Sequence, residues 1–363
     1  MRIAIVSTPF VRVPPRAYGG TELFVAELVD ELHRKGHELT LFGTGDSSAP
    51  ATIRYCYARP VWPPNEEAER VHARFSIEQI EKAKPAYDVV QVNTNAAYEY
   101  ARILRCPLVH TIHHDRVPEA SALYQTDHST EFAAISKRQL DLEVPLAHAS
   151  VIHHGLNPSR YPVSPTHEGY ILHLGRFCPQ KGTHIAIDAA RDAGIQLLLA
   201  GRAHEVDQDY YHQEVAPRLH PLSKEVGEAD HEQKVALLRG AAALLCPVQW
   251  EEPFGLAMIE AMLCGTPVIG FPRGSLPEII DEGVTGVLTT DTETMARAIG
   301  VASQWDRRRC AQRARERFSA ALMAERYEEV FKRARRRSRS SKQEAAATLV
   351  PGWSDAAPPR DES

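Results

Sequence analysis

Short apolar runs alternate with longer amphipathic segments in the first half of the chain. Six apolar runs predict strands buried on both faces, at residues 2–7, 38–43, 88–93, 108–113, 132–136 and 150–153. The clearest helical segment covers residues 21–35, where Leu23, Leu28 and Leu32 share one face and Gly36 ends the pattern. This alternation is typical of a parallel sheet covered by helices on both faces.

The same pattern starts again after a proline-containing segment at residues 156–169. Strands are predicted at residues 170–176, 195–201, 243–248, 267–271 and 286–289, and helices at 181–193, 231–240 and within 250–270. The fold class is therefore α/β, with two doubly wound, Rossmann-like domains at residues 1–160 and 166–305. Such sheets bind ligands at the carboxyl ends of their strands, so we expect a shared cleft between the domains.

The C-terminal part has a different composition. Residues 306–337 predict one long basic helix that crosses back to the first domain, and residues 338–363 contain few large apolar side chains, which predicts disorder. The basic run at residues 332–342 allows a weak peripheral contact with an anionic membrane surface, although such a run is more often a solvated helix end.

Bulk composition excludes several classes of protein. The chain has 363 residues, 43% hydrophobic and 25% charged, with a net charge of -5, which does not favour a nucleic-acid partner. The six cysteines form no CxxC pair, so neither a zinc site nor a disulfide framework is expected. No signal peptide or membrane-spanning run is recognisable, and we expect a reducing, cytoplasmic location.

Two common nucleotide-binding motifs are absent. The first strand leads into a proline-rich loop and AYGGTE rather than GxGxxG, which argues against a dinucleotide-dependent oxidoreductase. The P-loop motif GxxxxGK[ST] is absent too, because Lys181-Gly182-Thr183 lacks the upstream glycine at the required spacing.

Several residues could instead bind an anion at the predicted cleft. Gly19 and Gly20 precede a helix and would let backbone N–H groups approach a phosphate, unless they form a plain flexible loop. Arg176 ends a predicted strand and Lys181 opens the next helix. Both could hold a diphosphate there, although exposed Arg and Lys side chains are usually only solvated.

The stretch WEEPFGLAMIEAMLCGTPVIG at residues 250–270 contains three carboxylates, of which Glu252 and Glu260 stand in an apolar setting. Glu252 precedes the predicted helix and Glu260 lies about two turns into it, so the two can share a side. Buried carboxylates need partners, and sugar and ribose hydroxyls would supply hydrogen-bond donors. The N–H groups of Gly255, Leu256 and Ala257 would meet a phosphate at the same helix start.

His113 follows a predicted strand of the first domain, within HTIHHD. Four metal-binding side chains stand close together there, but His110 and His113 would point to opposite faces of the strand. We therefore expect one histidine in the cleft and no metal site.

The Glu252–Glu260 stretch resembles the Glu-x7-Glu signature of the retaining glycosyltransferases of family 4. LHLGRFCPQKGTHIAIDAA is similar to the family's GRF–KG segment, and TIHH and AAISKRQL to its first-domain cleft strands. Residues 1–47 look most like the subgroup of the avilamycin-pathway transferase. The resemblance implies a GT-B fold, in which the two Rossmann-like domains face an interdomain cleft.

The resemblance also implies roles for individual residues. A nucleoside diphosphate sugar would be the donor, with uridine preferred over guanosine, and a sugar, lipid or metabolite would be the acceptor. Catalytic roles would fall to His113, Arg176, Lys181 and Glu252, and donor contacts to Gly19, Gly20, Val226, Gly227, Phe254, Gly255, Leu256, Ala257 and Glu260. Arg176 and Lys181 would hold the diphosphate, Glu252 the sugar and Glu260 the ribose, with His113 near the C6 hydroxyl of the sugar.

The expected reaction is sugar transfer by a same-face substitution that retains the anomeric configuration, with no metal and no cofactor. Two other functions stay open at this point. A nucleotide-sugar epimerase on the same fold would bind a similar donor without an acceptor, and a non-catalytic protein could bind the nucleotide sugar without reacting.

Overall fold

The computed structural model describes residues 1–17 and 19–348, with side chains to residue 338. Thirteen strands lie within these residues: β1 Arg2–Val6, β2 Glu38–Phe42, β3 Thr52–Arg54, β4 Val89–Val92, β5 Leu108–Ile112, β6 Glu131–Ala134, β7 Ala149–Val151, β8 Ile171–Leu174, β9 Leu197–Ala200, β10 Ser223–Gly227, β11 Ala243–Cys246, β12 Val268–Gly270 and β13 Gly286–Leu288. All their pairings are parallel.

The α-helices of the same residues alternate with the strands: α1 Gly20–Arg34, α2 Glu66–Lys82, α3 Asn95–Ala101, α4 Pro118–Thr126, α5 Lys137–Leu142, α6 Thr183–Ala193, α7 Gln208–Tyr210, α8 His231–Gly240, α9 Leu256–Leu263, α10 Leu276–Ile279, α11 Thr292–Val301, α12 Arg307–Phe318 and α13 Ala320–Thr348. Helix α6 begins two residues after the predicted start, because Lys181 ends a short 3₁₀ turn over Pro179–Lys181.

Two sheets confirm the predicted pair of doubly wound domains. The first has the strand order β3-β2-β1-β4-β5-β6-β7 and the second β10-β9-β8-β11-β12-β13. The order of each sheet reverses once, between β1 and β4 in the first and between β8 and β11 in the second. Ligands of open α/β sheets bind at such switch points. Arg176 and Glu252 follow β8 and β11, and Asn93 follows β4.

The central strands of each sheet are buried on both faces, as their continuous apolar runs predict. Two clusters cover the first sheet, one with α1 and α13 and the other with α2, α3 and α4. Two further clusters cover the second sheet, one with α8, α9 and α12 and the other with α6 and α11. The loops at the carboxyl ends of the strands are thereby held on rigid supports.

The chain crosses between the domains twice, and the two crossings are hydrogen-bonded to each other. The N–H of Leu156 donates to the carbonyl of Phe318 at 2.9 Å, and the N–H of Ala320 donates to the carbonyl of Leu156 at 2.9 Å. This pairing interrupts the helix at Ser319. The prediction of one basic helix over residues 306–337 is therefore wrong: α12 packs on the second domain and α13 on the first.

Helix α13 continues beyond the residue at which disorder was predicted. It extends to Thr348, and the rest of the predicted tail, residues 349–363, lies outside the described residues. Three arginines of α13 contact the first domain: Arg335 Nη2 lies 2.8 Å from Asp88, Arg333 Nη2 lies 2.6 Å from Ser150, and Arg337 pairs with Glu131. Part of the basic run is thus held by the protein's own polar groups.

Candidate active site

Helix α9 begins at the domain boundary without a side-chain cap. Its N-cap residue, Gly255, has a left-handed backbone with φ of 84°, and none of the described side chains caps its first N–H groups. Phe254 is buried, whereas Leu256 and Ala257 are partly exposed. The uncapped N–H groups and the helix dipole make this end attractive to an anion.

Glu252, just before α9, is bound by two groups of its own domain. Its Oε2 lies 2.5 Å from Lys181 Nζ and 3.0 Å from Trp250 Nε1, and only 7% of the residue is exposed. Lys181 Nζ also lies 5.3 Å from the centre of the Trp250 ring. The structure thus brings together two of the predicted catalytic residues and adds Trp250, for which the sequence pattern gives no signal.

The loop after β12 holds the Glu252 segment in place. The N–H of Ser275 donates to the carbonyl of Glu252 at 2.8 Å, and the Ser275 hydroxyl donates to the carbonyl of Phe254 at 2.7 Å. A Cβ at Gly274, whose φ is 60°, would stand 2.2 Å from the Glu252 nitrogen. A side chain at position 274 would therefore displace the Glu252 backbone.

Glu260 is nearly inaccessible, with 3% of its surface exposed. Its Oε1 accepts from the Tyr161 hydroxyl at 2.9 Å and lies 2.5 Å from Lys234 Nζ. Among the described residues, no group donates to its other oxygen, Oε2. Neither Tyr161 nor Lys234 was predicted, because they come from the domain linker and from α8 and meet Glu260 only in the folded chain.

Arg176 follows β8 and is about one-third exposed. Its Nε lies 3.3 Å from Asp207 Oδ2, a distance that allows an ion pair, although the carboxylate oxygen lacks hydrogen-bond geometry. Val226 and Gly227 stand at the exposed carboxyl end of β10, the edge strand, where Gly227 accepts from the Gly201 N–H at 2.8 Å. Within the described residues, no hydrogen bond or ion pair joins this pair to Glu252 or Glu260.

The glycine loop of the first domain faces the start of α9. A Cβ on Gly20 would lie 3.5 Å from Leu256 Cδ1, and one on Gly19, whose φ is 152°, would lie 3.0 Å from Glu22 Oε2. Glu22 is buried and bonded to the Thr8 hydroxyl, and burial raises the pKa of its carboxyl. The predicted glycine pair therefore stands opposite the predicted phosphate site.

His113 lies at the carboxyl end of β5, in an aromatic group that reaches across the cleft. Its ring centre is 4.9 Å from that of Phe24 and 5.3 Å from that of His154, and His154 lies 4.8 Å from Phe254 of the second domain. Burial, and then the neighbouring His154, lower the pKa of His113 well below its ordinary value. His113 is thus a neutral side chain at the domain boundary.

Charged contacts also join the two domains. Arg138 Nε donates to Glu251 at 2.8 Å, and the backbone N–H of Lys137 donates to Glu278 at 2.9 Å. Burial raises the pKa of Asp115, and the next cause is Glu252 across the cleft. The two sets of predicted site residues therefore face one another.

Neither a metal cluster nor a membrane-spanning helix is found in the part of the chain that the structure describes. No group of three or more His, Cys, Asp and Glu side chains there is arranged to hold a metal ion. No helix there is both long and apolar enough to cross a membrane.

Family models match both domains. The Glycosyltransferase Family 4 model covers residues 18–160, and the Glycosyl transferases group 1 model covers residues 160–317. A glycogen synthase of Mycobacterium tuberculosis is 33% identical over 181 residues, which are 46% of this chain and 42% of that protein. The chain thus spans less than half the length of that relative.

Solved structures show the same architecture over almost the whole chain. A glycosyltransferase involved in avilamycin A biosynthesis superposes with a TM-score of 0.72 at 24% identity, covering 92% of this chain and 98% of its own. Anabaena HepE, solved in complex with UDP and glucose, gives 0.70 at 21% identity, covering 92% and 99%. With a family model on each domain and this shared architecture, the chain belongs to the family 4 glycosyltransferases of GT-B fold.

Proposed function

We propose that the protein transfers a sugar from a nucleoside diphosphate sugar to an acceptor, with retention of the anomeric configuration. The observation that carries the proposal is the uncapped start of α9, with Glu252 beside it and Glu260 within the helix. A ligand that fits this arrangement has an anionic centre flanked by two groups of hydroxyls. A diphosphate between a sugar and a ribose has that pattern.

Glu260 supports the ribose half of the proposal. Both of its protein partners contact Oε1. Its second oxygen can therefore accept from ribose hydroxyls while Lys234 continues to balance the charge. We propose uridine as the base, and the HepE complexes with UDP and UDP-glucose support this choice for a protein of the same fold.

Each of the two cations proposed to bind the diphosphate lies close to a carboxylate of the protein. Lys181 contacts Glu252, and Arg176 lies beside Asp207. A leaving diphosphate carries more charge than one carboxylate, so it competes for both cations as the sugar bond breaks. The cations and the dipole of α9 then stabilise the charge that grows in the transition state.

We propose a same-face substitution in which the donor phosphate accepts the acceptor's proton. Glu252 is held by Lys181 and Trp250, which suits a residue that positions sugar hydroxyls. We propose that no metal takes part, since Arg176, Lys181 and the helix start can balance the diphosphate charge. Closing the cleft would exclude water and limit hydrolysis of the donor.

The cellular location and possible membrane contact of the protein are a further part of the proposal. All six cysteines are free thiols, which supports a reducing, cytoplasmic location. A peripheral membrane contact would have to use exposed charges such as Lys332, because Arg333, Arg335 and Arg337 contact the first domain. The acceptor class is left open between a sugar, a lipid and a metabolite.

The test of this proposal is the configuration of the sugar released from the donor. Wild-type protein and Lys181→Ala are incubated with UDP-α-glucose, UDP-α-galactose and UDP-α-N-acetylglucosamine, and proton NMR records the first anomer formed by slow transfer to water. The proposal predicts the α-anomer from one of these donors and a large loss of release in the variant. A β-anomer as first product contradicts retention, and an equal rate of release in Lys181→Ala contradicts the proposed role of Lys181.

A further inference from the structure

The side chain of Asn93 has only one possible orientation. It follows β4 and is buried, with 4% of its surface exposed. Its Nδ2 donates to the backbone carbonyl of Val6 at 2.9 Å and to Gln91 Oε1 at 2.9 Å. A carbonyl can only accept, so turning the amide over would set two oxygens against each other. Asn93 Oδ1 therefore faces the opposite way, towards His113.

The orientation of Asn93 decides which nitrogen of His113 carries the proton. His113 Nε2 lies 2.9 Å from Asn93 Oδ1, which also accepts from Gln91 Nε2 at 2.7 Å. Because the amide oxygen has no hydrogen to give, the histidine must be the donor. His113 therefore holds a proton on Nε2.

A buried network keeps Asn93 and Gln91 in this arrangement. Gln91 Nε2 also donates to Thr111 Oγ1 at 2.9 Å, and Thr111 Oγ1 lies 2.9 Å from the hydroxyl of Tyr327 on α13. Gln91 and Thr111 are fully buried, and Tyr327 is too. The C-terminal helix is thus linked by hydrogen bonds to the predicted catalytic histidine.

The surroundings of His113 keep it uncharged. The ionisable groups that act on it are His110 and His114 from the same strand and loop, and His154 from the loop after β7. Phe24 of α1 covers another side at 4.9 Å. Burial and these three histidines all lower its pKa, and no acid among them opposes the shift. Its Nδ1 is therefore a bare acceptor, and no described residue donates to it.

We propose that Asn93 is a positioning residue, which holds His113 as the neutral imidazole with its proton on Nε2. His113 then presents Nδ1 to the cleft as an acceptor for a hydroxyl of the bound sugar. Such a site favours a hydroxyl over a carboxylate at that position. A hydroxyl can donate its hydrogen to the Nδ1 lone pair, whereas an ionised carboxylate has no hydrogen to donate. The selectivity rests on the proposed sugar-nucleotide function, whereas the proton position does not.

The proton position can be measured in the free protein. Full-length protein labelled with ring-¹⁵N histidine is studied by long-range proton–nitrogen correlation at pH 7, and His113→Gln identifies the signals of His113. We expect Nε2 to have the ¹⁵N chemical shift of a protonated ring nitrogen and Nδ1 that of an unprotonated one. A proton on Nδ1, or on both nitrogens, would overturn the proposal without any variant at position 93.

Two matched variants test whether Asn93 is the cause. Asn93→Asp places a carboxylate beside Nε2, so His113 should become doubly protonated at pH 7 and lose its charge only at higher pH. Asn95→Asp is the control, because Asn95 Oδ1 contacts His114 Nε2 at 2.8 Å and not His113. His113 should keep its single Nε2 proton in that variant. A proton on Nδ1 alone in folded Asn93→Asp protein would show that the oxygen at position 93 does not set the tautomer, and would refute the role of Asn93.

Ligand selectivity gives a second readout, which a purely structural role would not change. UDP-glucose and UDP-glucuronate differ by a hydroxyl and a carboxylate at C6, and their affinities are compared by calorimetry. Wild type should prefer UDP-glucose, and Asn93→Asp should shift the ratio towards UDP-glucuronate by about tenfold. An unshifted ratio contradicts the selectivity. If neither ligand binds, the proposed function fails while the nitrogen shifts still decide the proton position.

Discussion

Removal of the carboxylate of Glu260 should affect stability and nucleotide binding separately. The side chains of Glu260 and Lys234 are only 4% and 16% exposed, with 2.5 Å between Oε1 and Nζ. Breaking a buried ion pair by removing one partner costs about 3–5 kcal/mol, since the remaining charge is left without compensation. Lys234 keeps some contact with water, so Glu260→Gln should lower the free energy of unfolding by about 3 kcal/mol.

A second substitution should restore stability without restoring binding. Replacing both members of a buried pair by neutral groups of similar shape is close to neutral. Lys234→Met added to Glu260→Gln should therefore recover most of the lost free energy of unfolding. UDP affinity should stay reduced, because hydrogen bonds to a charged group contribute about 1.5–3 kcal/mol, roughly a ten- to hundredfold change in affinity.

Two assays separate these effects. Urea unfolding measures stability, and calorimetry measures UDP affinity under conditions where each variant is folded. If the double variant recovers both stability and UDP affinity, Glu260 acts only through the fold, and its assignment to the ribose is refuted. Unchanged stability in Glu260→Gln would instead refute the reasoning about the ion pair.

Three further substitutions have defined outcomes. Arg176→Gln should lower turnover more than it weakens UDP binding, and equal turnover in a kinetic assay would exclude its role in the transition state. Burial raises the pKa of Glu27 from 4.5 to about 7, so the carboxyl loses its proton at higher pH in the folded than in the unfolded chain. The contribution of Glu27 to stability should therefore fall by about 3 kcal/mol as the pH rises from 4.5 to 7, so the change in stability over this range, measured by urea unfolding, should differ by that amount between wild type and Glu27→Gln. An identical pH dependence in the two proteins would contradict this. Glu278→Gln weakens contacts to the N–H groups of Lys137 and Arg138 across the cleft, so turnover should fall several-fold with UDP affinity unchanged. Unaltered turnover would show that these contacts do not support closure.

The sequence predicts the parts of the site that lie on single elements. Glu252 and Glu260 are recognisable because the first precedes Gly255 and the second lies within the apolar helix that Gly265 ends. Gly20 is recognisable because it stands at the start of a helix, and His113 because it follows a strand. Their positions relative to the predicted strands and helices are enough to predict them, and the structure places them at the domain boundary.

Contacts between distant segments could not be predicted in the same way. Tyr161 and Lys234 lie far apart in the sequence, and only packing brings both to Glu260. The break between α12 and α13 has a similar origin, because Ser319 is an ordinary helix residue and the pairing with Leu156 imposes the interruption. Arg335 gives a third example, since nothing near it in the sequence indicates its contact with Asp88.

The most direct test of the account is calorimetric titration of the wild-type protein with UDP and with GDP. With a nucleoside diphosphate across the start of α9 and its ribose at Glu260, we expect saturable binding of UDP and weaker binding of GDP. Tighter binding of GDP would correct the base and keep the site, whereas binding of neither nucleotide would contradict the central claim.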